Sequence, residues 1–284
     1  MVGYNALEIA IEAAWLTEKE DGKMVAQFLM VDGKRVEYFW YGARPGEAPT
    51  LVFLHEGLGC AAMWRDFPAR VAEATGCGAL VYSRFGYGGS AACELPRPVG
   101  YMHGEALEVL PKVLAELGVE DMILVGHSDG GSIALIYAGG KRPRGLRGVI
   151  TEAAHVFCEQ ITVDSIAEVR EVYLKTNLRE KLIRYHGKNV DTAFWGWNDV
   201  WLKPAFMEWN IEAYLPGVEV PLLVLQGEDD QYGTAAQVES IANKSGGAAE
   251  AVMIRECAHT PHKEQPEVTF EAMTAFIERM LSSR

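Results

Sequence analysis

Ser128 stands at the centre of Gly126-His127-Ser128-Asp129-Gly130, a G-x-S-x-G pentapeptide, and its flanks give the pattern its meaning. The preceding run Met122-Ile123-Leu124-Val125 is apolar and β-prone; the following run, Gly131 to Ala138, reads as a helix of small residues. A strand, a turn tight enough to need glycines, and a helix would lift the Ser128 hydroxyl out at the mouth of a sheet. There it lies beside a helix N-terminus, whose free N–H groups favour negative charge. The bland alternative is a glycine-rich turn whose serine merely caps the helix.

A serine hydroxyl attacks only when an imidazole takes its proton, and the imidazole works only when a carboxylate holds its tautomer. Both types follow downstream. The apolar run Val220 to Leu225 leads into Gln226-Gly227-Glu228-Asp229-Asp230-Gln231-Tyr232-Gly233, where three carboxylates compete. A functional side chain is expected a few residues beyond the strand, which favours Asp230, with Asp229 as the alternative; Glu228 reads as a solvated turn residue. The run Ala251-Val252-Met253-Ile254 leads to His259, placed to swing toward the sheet edge. His262 reads as a surface or packing histidine. A His259/His262 metal pair fits the spacing, but no cysteine or carboxylate cluster completes it.

Attack creates an oxyanion that needs backbone N–H groups aimed at it. The amide of Asp129, directly after the serine, is one expected donor. The other is expected from His55-Glu56-Gly57-Leu58-Gly59, the loop after the strand Thr50–Leu54, with Gly57 first and Leu58 second. The Asp129 side chain reads as a charge favourable to the helix dipole.

With these motifs assembled, the chain resembles an α/β-hydrolase-fold protein of the serine-nucleophile, helically capped type, over residues 24–284. The resemblance implies Ser128 as nucleophile, Asp230 as acid, His259 as base, and Gly57 and Asp129 as oxyanion donors. It implies a core domain of residues 1–153 and 218–284, and a helical cap of residues 154–217. The segment Tyr82-Ser83-Arg84-Phe85-Gly86-Tyr87-Gly88-Gly89-Ser90 is similar to the loop after the family's next strand. Two positions depart from the family. Ser83 stands where Asp is common, and Glu56 follows His55 where Gly is common. A carboxylate so near an oxyanion site opposes negative charge unless it is turned away or paired, and Arg84 is the candidate partner. Serine at the elbow also excludes the carboxylate nucleophile of haloalkane dehalogenases and epoxide hydrolases.

The elements around these motifs agree with that reading. Residues 24–31 and 34–41 alternate about Asp32-Gly33, a hairpin signal. Strands are then expected near 50–55, 78–83, 121–126 and 147–152, and helices near 61–74, 103–117 and 129–139. Such alternation predicts a mostly parallel central sheet flanked by helices, with ligands at the C-terminal strand ends. From 154 to 217 the pattern changes. Residues 162–186 are helix-like, and Trp195, Trp197, Trp201 and Trp209 crowd the rest. A cap there would roof a substrate pocket and exclude water. Trp197 and Trp201, four apart on one helical face, are expected to meet substrate with Leu58, while most of the other rings fill the cap's own core. Asn198 and Asp199 are expected either to orient a substrate polar group or to cap a turn.

The chain has 284 residues and a formal charge of −13, which suits one α/β domain with an insertion and disfavours nucleic acid and anionic membranes as partners. Five cysteines without metal spacing predict a reducing, cytoplasmic setting. No leader or membrane-spanning run is read from the sequence. Residues 5–16 read as a short amphipathic element packing on the core or on a second subunit of a homo-oligomer. The expected function is hydrolysis of a small apolar or aromatic ester through an acyl-enzyme, without metal or organic cofactor. The alternatives are carbon–carbon hydrolysis of a ring-fission product, with Arg84 helping a dienolate, and ligand binding on a hydrolase scaffold.

Overall fold

The computed structural model describes residues 26–282, so the 5–16 segment lies outside the described residues. Asp32 and Gly33 both take positive φ (50° and 72°), as a two-residue hairpin turn requires. They join β1 (Gln27–Val31) to β2 (Lys34–Gly42) in antiparallel pairing. β2 runs antiparallel to β4 (Gly78–Tyr82). Every other pairing is parallel, linking β3 (Thr50–Leu54), β5 (Met122–His127), β6 (Leu146–Glu152), β7 (Leu222–Gly227) and β8 (Ala249–Ile254). The order across the sheet is β1-β2-β4-β3-β5-β6-β7-β8, the expected mostly parallel sheet.

Strand alternation divides the core in two. On one face Leu51 and Phe53 of β3 pack with Phe67 and Val71 of α1 (Phe67–Thr75) and with Met273 and Phe276 of α8 (Pro266–Ser282). On the other face Val52 and Leu54 meet Leu110 and Val113 of α2 (Leu110–Glu116) and Ile133 and Ile136 of α3 (Asp129–Lys141). Because both faces are covered, β3, β4, β5 and β7 are buried along their whole length and read as unbroken apolar runs.

Three expected helices are broken in the structure. The stretch near 61–74 is a 3₁₀ turn, Ala61–Trp64, then α1, interrupted where Arg65 takes φ 55°. The stretch near 103–117 begins as Tyr101–Gly104 and passes through a π-helical turn, Glu105–Val109, before α2. The 162–186 run divides into α4 (Gln160–Lys175) and α5 (Leu178–His186). There Thr176 is extended and its Oγ1 accepts the Leu178 N–H at 3.2 Å, so a local side-chain bond ends one helix and opens the next.

Between β6 and β7 lie α4, α5, α6 (Val190–Trp201) and three short 3₁₀ turns, Gly187–Asn189, Pro204–Glu208 and Glu212–Gly217. α7 (Ala235–Lys244) packs on β7 and β8. Among the described residues no helix is long and apolar enough to cross a membrane, and no group of three metal-binding side chains occurs.

Candidate active site

Ser128 sits between β5 and α3 at φ 53°, ψ −116°, a region that costs about 1–3 kcal/mol for a residue with a side chain. Its backbone is held there at both ends: its N–H donates to Glu152 O at 2.8 Å, and its carbonyl accepts the Ser132 N–H at 3.1 Å. The flanking glycines are needed for space. A β-carbon at Gly126 would lie 2.3 Å from Gly130 O, and one at Gly130 would lie 2.0 Å from Leu54 O. The start of α3 is thereby pressed against the end of β3, where the 55–59 loop begins.

Asp230 and His259 come from the ends of β7 and β8, and their loops are tied together. Asp229 N–H donates to Cys257 O at 2.9 Å, and a β-carbon at Gly227 would lie 2.1 Å from that same oxygen. His259 Nε2 lies 3.0 Å from Ser128 Oγ, and its Nδ1 lies 2.9 and 3.0 Å from the two Asp230 oxygens. Of the three competing carboxylates, Asp230 alone reaches His259; Glu228 faces Arg255 in solvent. Burial by itself would raise the Asp230 pKa, but the facing His259 and the Tyr232 N–H, 2.8 Å from Oδ1, hold it below the usual carboxylate range. The Glu264 carboxylate accepts Ala258 N–H at 2.6 Å and Thr260 N–H at 2.9 Å, bracketing the His259 backbone. Sequence reading missed Glu264, although a carboxylate five residues past a candidate base is a signal for such a clamp. A Ser–His–Asp chain of this geometry can move a proton off the serine hydroxyl while the carboxylate steadies the imidazolium.

Gly57 and Leu58 line the same cleft as Ser128. Arg84, fully buried, donates from Nη2 to Glu56 O at 2.8 Å, and His55 Nδ1 lies 2.7 Å from that oxygen. In a planar trans peptide the N–H points opposite to the C=O. The Glu56 carbonyl is drawn inward to Arg84, so the Gly57 N–H is turned the other way. His55 Nε2 accepts the Arg84 backbone N–H at 3.1 Å; burial first, then the Arg84 charge, keep this imidazole neutral.

Several expectations need correction here. Arg84 binds the Glu56 carbonyl, not its carboxylate, and its Nη1 pairs with Asp129 Oδ2 at 3.3 Å, away from the cleft. It is therefore not placed to assist a dienolate. The Glu56 carboxylate turns to Lys263 (3.7 Å) and His127 (3.5 Å). Burial opposes its charge, but Lys263 and then His127 hold its pKa well below the ordinary range. The Asp129 carboxylate lies in the first turn of α3, as a helix-dipole charge would, and is in addition a buried anchor: Tyr101 donates to Oδ2 at 2.5 Å, and Arg84 Nη1 binds the same oxygen. Of the surface and packing readings of His262, packing holds: it is buried, 2.8 Å from Glu152 and stacked on Trp64, with different partners from His259.

The cleft holds about 390 Å³ of atom-free space including its mouth. Leu58, Trp197 and Trp201 line it, together with His155, Thr162, Ile166 and Tyr232, which sequence reading missed. His155 follows the C-terminal end of β6 and Tyr232 follows Asp230 by two; strand-end position was the available signal for both. Trp195 packs with Phe194 and Tyr173, and Trp209 stacks on Phe206, so both fill the insertion's own core. Asn198 donates to Ile166 O at 3.0 Å, and Asp199 pairs with Arg170 at 3.6 Å; neither lines the cleft.

An eight-stranded sheet with a strained serine between strand and helix defines an α/β-hydrolase architecture. A sequence model of the alpha/beta hydrolase family matches residues 51–272. The chain belongs to that family and is a hydrolase of it. The proline iminopeptidase of Lactobacillus delbrueckii subsp. lactis is 30% identical over 109 residues, which is 38% of this chain and 37% of that protein. The chain thus matches little more than a third of that relative's length. A bacterial membrane phospholipase A has a similar structure (TM-score 0.74, 19% identity, 98% of this chain and 91% of that one). So does the enol-lactonase of Burkholderia xenovorans LB400 (TM-score 0.69, 19% identity, 88% and 99%).

Proposed function

We propose that the protein is a serine hydrolase of small carboxylic esters with an apolar or aromatic group. The observation that carries this reading is the continuous hydrogen-bonded chain Ser128–His259–Asp230 at the edge of the cleft. His259 Nε2 takes the Ser128 proton as Oγ adds to the ester carbonyl, and Asp230 steadies the imidazolium. The amides of Gly57 and Asp129 receive the oxyanion. Collapse expels the alcohol, which takes its proton from His259. Water then adds to the acyl-enzyme by the same route, and the acid leaves with Ser128 restored. Residues 154–217 act as the cap, and Leu58, Trp197 and Trp201 shape an apolar cleft that excludes water. The five free thiols suit a cytoplasmic setting. No metal takes part in this scheme.

The test is initial rates on p-nitrophenyl acetate, butyrate, octanoate and benzoate for wild type, Ser128→Ala and His259→Ala. Turnover that disappears in both variants supports the reading; equal turnover in Ser128→Ala overturns it. A second reading, cleavage of an aminoacyl amide, draws on the likeness to proline iminopeptidase and on the presence of an acidic residue, Glu56, in the cleft lining. Faster turnover of L-proline p-nitroanilide than of any ester would replace the first reading with this one.

A further inference from the structure

The cleft is mostly apolar, yet two of its polar side chains have unsatisfied atoms. His155 is 2% exposed and Tyr232 is 5% exposed, and both line the cleft. His155 Nδ1 and the Tyr232 hydroxyl are enclosed without a hydrogen-bond partner. Enclosing such a group unpaired forfeits its hydration without return, so an unpaired pair beside Ser128 calls for a reason. Both rings flank the same imidazole: the Tyr232 ring centroid lies 4.6 Å from that of His259, and the His155 centroid lies 5.8 Å from it.

The backbones beneath these rings are fixed. Ser132 Oγ donates to His155 O at 2.6 Å, and Val156 N–H donates to Gln237 Oε1 at 2.7 Å. Thr162 Oγ1 donates to Tyr232 O, and Ser165 Oγ donates to Gln231 O at 2.7 Å. Both side chains are thus held at the seam between the sheet-end loops and α4. A pair so well braced is preorganised to meet a ligand.

Their chemistry limits what that ligand can be. Burial first, and then the neighbouring His259, push the His155 pKa down to about 4, so the ring is a neutral imidazole near neutral pH. A neutral imidazole keeps one N–H to donate, and the tyrosine keeps its O–H. Among the described residues no lysine or arginine lines the cleft to receive an anionic acyl chain, and the nearby carboxylates Glu56 and Asp230 are already paired with Lys263 and His259. Two neutral donors in such a lining suit an uncharged oxygen.

We propose that His155 and Tyr232 are specificity-determining residues that bind an uncharged carbonyl oxygen carried by the substrate's acyl chain, apart from the ester being cleaved. The inference rests on the ester reading above and narrows its substrate class to oxo-acyl esters. A site built to hydrogen-bond an oxygen rejects the carbon analogue far more strongly than an apolar pocket rejects a change of size.

The experiment compares kcat/KM for two ester pairs: p-nitrophenyl 4-oxopentanoate against 4-methylpentanoate, and 5-oxohexanoate against 5-methylhexanoate. Wild type is expected to favour the oxo ester of at least one pair by about tenfold or more. Tyr232→Phe, which removes one oxygen, is expected to lower that ratio about tenfold, and His155→Phe to lower it similarly. Equal rates within both pairs for wild type overturn the proposal, and so does a Tyr232→Phe variant in which both members of a pair fall equally. Fluorophosphonate labelling of wild type tests the serine reading separately. If labelling and turnover both fail, tryptophan-fluorescence titration of Ser128→Ala and of Ser128→Ala/Tyr232→Phe with the same esters still decides the matter. Tighter binding of the oxo ester, lost in the double variant, upholds the proposal; equal binding of both esters overturns it.

Discussion

The floor and the roof of the cleft are built by different means. The floor, made of the loops after β3, β5, β7 and β8, is fixed by charge and backbone hydrogen bonds. Arg84 holds the Glu56 carbonyl, Glu264 brackets His259, and His127 Nε2 lies 2.7 Å from the His259 carbonyl. The roof, α4 to α6 with the turns behind them, is fixed by rings. Tyr173 stacks on Phe194 at 3.5 Å, Trp201 leans on Phe206 at 4.4 Å, and Phe206 stacks on Trp209. Directional bonds hold atoms where a proton must move; stacked rings shape a space and leave its fine detail adjustable. On the proposed ester reading, the floor is therefore expected to govern the rate of bond breaking and the roof to govern which molecule arrives.

That division predicts kinetic consequences of very different size. Ser128→Ala and His259→Ala are expected to lower kcat by about 10⁴-fold or more, with ester binding retained in a fluorescence titration; loss of binding in both would break the separation of roles. Asp230→Asn is expected to lower kcat by about 10⁴-fold through the wrong histidine tautomer, measured by single-turnover kinetics. Glu264→Gln keeps the shape and weakens the acceptor, so a kcat loss of about tenfold with little change in KM is expected; a change confined to KM would move Glu264 to the roof's side of the comparison. Trp197→Ala is expected to raise KM by about tenfold for long or aromatic esters and to flatten the chain-length profile. A kcat loss as large as that of Asp230→Asn would show that the roof also sets the chemistry.

The smallest effect concerns stability. Glu56 is held well below the ordinary carboxylate range, so its contribution is full above that range and is lost as pH falls through its folded value. His127 is raised: burial opposes its charge, but Glu56 more than offsets it. Its contribution is full below about pH 6.5 and is lost as pH rises through its folded value. Stability from this pair should peak between the two limits. Glu56→Gln should flatten both limbs in thermal unfolding measured from pH 3 to 9, and unchanged limbs would show that the pair does not couple.

What the sequence displayed follows the same division. The hydrogen-bonded Ser128, His259 and Asp230 of the candidate site were legible because each is a local event, a strand running into a turn. The sheet was legible because β3, β5 and β7 are unbroken apolar runs. Partnerships across the chain were not. Glu56 meets Lys263 more than two hundred positions away, and Arg84 reaches Asp129 by a fold that brings β4 and β5 to either side of β3. Nor did the pattern reveal the break at Thr176, because the apolar spacing runs on across it while one side-chain hydroxyl redirects the backbone.

Gly57 links the two regions at a single point. A β-carbon there would lie 2.2 Å from the Trp197 indole, so the roof rests directly on the loop that faces the serine. In the drift of such a sequence, positions 57 and 197 are not free to vary separately. Any side chain gained at 57 must be matched by a smaller one at 197. A designer who trims Trp197 to admit bulkier substrates also removes the constraint that keeps position 57 a glycine, and with it a steric check on the loop beside the reacting carbonyl.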